Sequence, residues 1–145
     1  GPKVIEYNCR FGDPETQVVL PLLESDLLTI MKATTNGTLA ETEVKFSEKS
    51  ACCVIMASKG YPVSYEKGFE MNIPEEIEGN VYVAGASLKE GKLLTNGGRV
   101  LGVTAVEDNL KDAVKSSYAL VKQISFDNAF YRNDIGAKAL AVLED

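Results

Sequence analysis

Seven consecutive apolar residues, Ala51-Cys52-Cys53-Val54-Ile55-Met56-Ala57, form the longest purely apolar run in the chain. The run falls far short of the roughly 20 residues a membrane-spanning helix requires. With its flanking serines it reads as a nearly continuous apolar strand over residues 50–58, ended by the turn signal Gly60-Tyr61-Pro62. Such a strand must lie inside a sheet, and the residues after it supply one. Strand-like segments follow at 81–87, 92–95 and 99–106, separated by the turn signals Glu90-Gly91 and Asn96-Gly97. This pattern predicts an antiparallel meander. Asp108 is then expected to cap an amphipathic helix whose inner face carries Leu110, Ala113, Val114, Tyr118 and Val121, and a last helix is expected over 135–143.

The first forty residues have a different character. Residues 3–9 alternate as a strand does, with Tyr7 and Cys9 on one face and Glu6, Asn8 and Arg10 on the other. Gly12-Asp13-Pro14-Glu15 reads as a helix start, with Asp13 as N-cap and Pro14 at the first helical position, and Pro21 limits or kinks that helix. Leu27, Leu28 and Met31 mark a second short helix stopped by Asn36-Gly37. The polar stretch 38–43 is the expected junction between two units, 1–42 and 43–145. The fold class is α+β with an antiparallel sheet.

Composition narrows the chemistry. There is no histidine, so the commonest general base and zinc ligand are missing. The three cysteines, Cys9, Cys52 and Cys53, have no CxxC spacing and read as reduced, mostly buried hydrophobes. A formal charge of -6 with scattered Lys and Arg argues against nucleic-acid binding. Gly1-Pro2-Lys3 shows no signal-peptide pattern, so no membrane is expected and the expected location is the cytoplasm.

Two clusters bear on function. Glu6-x-Asn8-x-Arg10 puts a carboxylate and an amide oxygen on one strand face, a pair suited to a hard cation such as magnesium, and Arg10 next to them suits phosphate oxygens. Spacing alone favours the plainer description, a half-buried strand with a polar outer face. Thr95-Asn96-Gly97-Gly98-Arg99 offers backbone N–H groups and one guanidinium to an anion, although Asn-Gly between strands is first of all a turn. Gly85 to Leu93 misses the phosphate-loop spacing by one residue and reads as a hairpin, and Glu75, Glu76 and Glu78 read as a solvated loop. Phe46, Tyr61, Tyr65 and Phe69 read as core.

The run Glu6-Tyr7-Asn8-Cys9-Arg10-Phe11-Gly12-Asp13-Pro14-Glu15-Thr16-Gln17 resembles the signature of phosphoribosylamine–glycine ligases. Residues 51–62, Tyr65-Glu66-Lys67-Gly68, residues 95–104 and Tyr131-Arg132-Asn133-Asp134-Ile135-Gly136 resemble further blocks of that family, in its order. The resemblance implies the end of an ATP-grasp domain followed by a small antiparallel-sheet domain with packed helices. It also implies Glu6 and Asn8 as ligands of magnesium or manganese, Arg10 as a catalytic arginine beside the reacting phosphate, and Asn96, Gly97, Gly98 and Arg99 as the substrate-binding candidates. With it the metal reading of Glu6 and Asn8 takes precedence.

The implied reaction joins glycine to 5-phosphoribosylamine through a glycyl phosphate made from ATP, in purine biosynthesis. Most of the ATP-grasp sheet is expected to precede Gly1, so this chain alone is expected to be inactive, and residues 3–33 are expected to self-associate by packing against or exchanging with another copy, or else to fold back onto the second unit. The alternative is a non-catalytic docking or lid module for a separate ATP-grasp chain. The sequence also departs from the family: Val83 and Ala86 stand where a donor and a hydroxyl are common, and Lys59 and Asn133 replace a usual glycine and arginine.

Overall fold

In the computed structural model, which describes residues 1–7 and 9–143, the apolar run is strand β1 (Ser50–Ser58). It sits in a four-stranded sheet of order β2-β5-β1-β6, with β2 at Asn80–Val83, β5 at Arg99–Glu107 and β6 at Ala129–Phe130. All neighbours are antiparallel. Strands β1 and β5 stay in register from Ser50 opposite Glu107 to Met56 opposite Leu101. One residue is then skipped and Ala57 faces Arg99, which is a β-bulge at Val100.

Alternation sorts the sheet into two faces. Cys52, Val54 and Met56 pair with Ala105, Val103 and Leu101 and form the core with helix α3 (Leu110–Val121). Helix α3 buries Ala113, Val114, Ser117, Leu120 and Val121. The bulge brings Val100 into the same core as Leu101, both fully buried. The opposite face carries Cys53, Ile55, Gly102 and Thr104 and is met by helix α1 (Thr16–Val19). Packing there is close: a Cβ on Gly102 would stand 3.3 Å from Cys53 Sγ and 3.6 Å from Gln17 Cγ.

The meander expected from the turn signals is not what forms. Strands β3 (Ala86–Lys89) and β4 (Lys92–Thr95) make a separate two-stranded hairpin. Its turn residues Glu90 and Gly91 have φ of 52° and 79°, the mirror-image turn that suits strand twist. The hairpin leaves the main sheet where the chain crosses itself: a Cβ on Gly85 would stand 2.6 Å from Gly97 Cα. Asn96-Gly97 therefore links two sheets rather than two paired strands, a role only residues without a side chain at the contact permit.

Other boundaries differ as well. Residues 3–7 and 9 belong to no ladder, because no described strand offers them a partner, and Val4, Ile5 and Tyr7 lie 70, 97 and 82% exposed. Cys9 is exposed rather than buried. Helix α1 begins at Thr16, not at Pro14, since the Asp13 carboxylate is engaged elsewhere and Thr16 N–H instead bonds Gly12 O at 3.0 Å. Pro21 does end that helix, in a single 3-10 turn (Leu20–Leu22). Helix α2 (Leu27–Asn36) lies where expected, capped by Asp26 and closed by Gly37 at φ 74°. Asn109, not Asp108, caps α3, accepting from Asp112 N–H at 2.9 Å, because Asp108 lies one residue too early to reach that N–H. The last helix, α4, is Ala137–Leu143. Phe46 and Tyr61, expected in the core, are 48 and 41% exposed.

Candidate functional site

Arg99 owes its direction to the bulge. Along β5, residues 101, 103 and 105 face the core, and an unbroken strand would send residue 99 the same way. The skipped residue turns Arg99 to the face of Ala57 and α1, where its guanidinium meets Asp13. Arg99 Nη2 lies 3.0 Å from Asp13 Oδ2, and Nη1 donates to the Asp13 carbonyl oxygen at 3.1 Å. The other carboxylate oxygen, Oδ1, accepts from Gln17 Nε2 at 2.8 Å. The loop holding Asp13 is fixed by Thr16, whose hydroxyl also donates to Gly12 O at 2.8 Å.

The glycine turn before Arg99 is equally well held. Ser58, fully buried at the end of β1, donates its hydroxyl to Gly97 O at 3.0 Å and its N–H to Gly98 O at 2.8 Å. Asn96 N–H bonds Gly85 O at 2.7 Å. The Tyr61 ring lies flush on Gly98, where an added Cβ would stand 2.0 Å from Cδ2. Tyr65 stands edge-on to Tyr61, with ring centroids 6.0 Å apart. The result is a rigid corner with an exposed Asn96 residue, backbone drawn tight by three glycines, and an Arg99 side chain that is 42% exposed.

Among the candidates taken from the sequence, the structure gathers Asn96, Gly97, Gly98 and Arg99 and ties them to the signature segment through Asp13. Glu6 is exposed, seven residues before Asp13. Arg10 lines a surface hollow with Cys9, Phe11 and Met31. Asn8 lies outside the described residues. A carboxylate and an amide oxygen suit a hard divalent cation in kind, but they are two donors where such an ion takes about six. Among the described residues no three His, Cys, Asp or Glu side chains cluster to complete a site.

Sequence reasoning missed Asp13, Gln17, Ser58 and Tyr61 as parts of this corner. A faint signal existed for the first two, since Asp and Gln four apart are neighbours on a helical turn. No signal marked Ser58 or Tyr61, whose partners are distant in sequence. Near the site no described thiol is primed for attack: burial pushes the Cys53 thiol up, with Thr104 opposing and the Cys52 and Asp13 charges adding, and Cys52 is likewise raised by burial. Burial also raises the Tyr82 hydroxyl on the same sheet face. The hairpin expected between Gly85 and Leu93 does form, from β3 and β4.

Residues 51–138 match the family model for the phosphoribosylglycinamide synthetase C domain. The chain is 51% identical over 138 residues to a phosphoribosylamine–glycine ligase of Caldanaerobacter subterraneus, covering 94% of this chain and 33% of that protein. It is 47% identical over 148 residues to the human trifunctional purine biosynthetic protein adenosine-3, covering 99% of this chain and 15% of that one. Among solved structures it resembles the phosphoribosylamine–glycine ligase of Thermotoga maritima, with TM-score 0.75 and 35% identity over 92% of this chain and 33% of that chain. The chain thus spans about a third of the length of the single-function ligases it matches.

Proposed function

This chain belongs to the phosphoribosylglycinamide synthetase family, as its carboxy-terminal part, and from that premise we propose that it completes the active site of an ATP-dependent ligase joining glycine to 5-phosphoribosylamine. The observation that carries the reading is the 51% identity to a phosphoribosylamine–glycine ligase across 94% of the chain. In this reading residues 1–42 end an ATP-grasp unit and 43–145 form the domain that packs on it. The family-model match at 51–138 falls inside the second of these and supports the division.

ATP would convert the glycine carboxylate to a glycyl phosphate, and the amine of phosphoribosylamine would displace phosphate. Such a reaction is driven by positioning and by neutralising charge on the transferring group. Arg10 is the proposed catalytic cation beside that phosphate, where a guanidinium bonds two oxygens at once. Glu6 and Asn8 would supply oxygen ligands to magnesium or manganese. When bound, the ion contributes Lewis-acid stabilisation of phosphate charge. Asn96, Gly97, Gly98 and Arg99 are the proposed contact for the sugar-phosphate substrate, a rigid corner presenting a cation and tight backbone. The cytoplasm is the proposed location; among the described residues no helix is long and apolar enough to cross a membrane.

The test is reconstitution. This chain, incubated with ATP, magnesium, glycine and phosphoribosylamine, is expected to be inactive alone and active when joined to the nucleotide-binding part of a related ligase. Within the joined enzyme, Glu6→Ala should lower turnover by roughly 10³-fold, the loss of about 4 kcal/mol of phosphate-charge stabilisation, while Cys9→Ala should not. A joined enzyme without activity, or one indifferent to Glu6→Ala, would overturn the catalytic reading or the metal assignment respectively. The first of these outcomes would leave the docking or lid module for a separate ATP-grasp chain as the better description.

A further inference from the structure

We infer that Asp13 is a positioning residue for Arg99, holding the guanidinium of the second unit in the orientation that meets the sugar-phosphate substrate. The inference rests on the proposed substrate contact at Asn96, Gly97, Gly98 and Arg99. Three observations carry it. Asp13 engages Arg99 twice, through Oδ2 at 3.0 Å and through its backbone oxygen at 3.1 Å, so that both terminal nitrogens are fixed and the plane of the group is set. The hydrogen bond from Nη1 uses one of the five N–H donors a guanidinium carries, the ion pair holds Nη2, and the remaining donors keep fixed directions. Asp13 is itself fixed on its far side by Gln17 Nε2 at 2.8 Å.

The third observation is a cost the fold accepts. Gln17 Oε1 is buried with no hydrogen-bond partner. Flipping the amide would turn an oxygen toward the Asp13 carboxylate, so the orientation is dictated by Asp13 and the unpaired acceptor is its consequence. A side chain kept in an unfavourable setting to steady Asp13 marks the direction of Arg99 as the feature being protected. Charge alone does not explain the arrangement, because a carboxylate on the guanidinium lowers its attraction for anions. What the carboxylate supplies is order: an untethered arginine gives up rotamer freedom on binding, and a tethered one has given it up already.

Charge and order predict opposite signs, and that separates them. Ribose 5-phosphate is the probe, titrated into the chain and followed by backbone and arginine side-chain NMR shifts. Arg99→Gln is expected to abolish or strongly weaken binding. Asp13→Asn, which removes a negative charge, is expected to bind about threefold to tenfold more weakly despite the gain in net positive charge, and so is Asp13→Glu, which keeps the charge but displaces the guanidinium. Tighter binding by Asp13→Asn with unchanged binding by Asp13→Glu would overturn the positioning role and leave the substrate contact standing. Should Asp13→Asn fail to fold, Asp13→Glu decides alone, wild-type affinity counting against the inference. If the parent chain shows no binding, or Arg99→Gln binds as the parent does, the substrate contact falls and the inference with it.

Discussion

Ser117 joins two strands through one hydroxyl. It accepts from Ala105 N–H at 3.1 Å and donates to Cys52 O at 2.6 Å, so two backbone groups of directly opposed residues are satisfied by a side chain of α3. All of this is buried. Ser117→Ala leaves both backbone groups without that partner and is expected to cost about 2 kcal/mol, the penalty of unpaired buried polar atoms, read as a lower urea midpoint with unchanged slope. A loss below about 0.5 kcal/mol would mean that the ladder closes on itself without help. Ser117 is invisible to the amphipathic reading of α3, which assigns the inner face by apolar residues, and the pairing of Asp13 with Arg99 is equally hidden. A polar side chain is legible as structural only when its partner is near in sequence, and these partners are 12 to 86 residues away.

At the scale of elements, α2 illustrates what local chemistry fixes. Asp26 accepts from Thr29 N–H and from the Thr29 hydroxyl, both at 2.7 Å, and these bonds with the nearby Lys32 charge lower its pKa below the ordinary 3.8. Because the folded pKa is the lower one, the native state binds fewer protons in acid, so the cap's contribution is present above the unfolded value and lost as pH falls through the folded one. Acid titration followed at the Thr29 amide should show the first turn of α2 loosening below pH 3.8, while the Asn109 cap of α3, which does not titrate, stays. Simultaneous loss of both would assign the effect to global unfolding. The junction of the two sheets is a tertiary matter instead. Gly97→Ala puts a Cβ 2.7 Å from Gly85 Cα, backbone against backbone, and is expected to destabilise by about 2 kcal/mol and to broaden the amide signals of β3 and β4. A Gly97→Ala variant as stable as the parent would show that the crossing relaxes freely.

For the whole molecule the question is what covers the apolar residues left outside. Val4, Ile5, Tyr7, Phe11, Leu28 and Met31 are 47 to 97% exposed, and each would gain about 1.5 to 3 kcal/mol on full burial. Part of the first segment folds back, since α1 lies on β1 and β5, but these six do not. We expect concentration-dependent association in light scattering, reduced by Ile5→Lys with Met31→Lys. A monomer at all concentrations would show that exposure here is tolerated. Much of the fold is local and therefore legible: the β1 run, the Glu90-Gly91 turn, the Pro21 stop, the Gly37 close and the α3 stripe follow from side-chain periodicity and from glycine and proline geometry, which each short segment carries with it. Hydrogen-bond partners are not local. Whether residues 3–9 find a strand to pair with, whether Asn96-Gly97 closes a hairpin or crosses between sheets, and whether a bulge at Val100 sends Arg99 to Asp13 instead of into the core depend on segments distant in sequence. By itself, then, the sequence determined the elements whose signals are local and the family resemblance. The tertiary structure alone decided which face of the sheet the Arg99 guanidinium occupies, because a single skipped residue reverses every side chain beyond it.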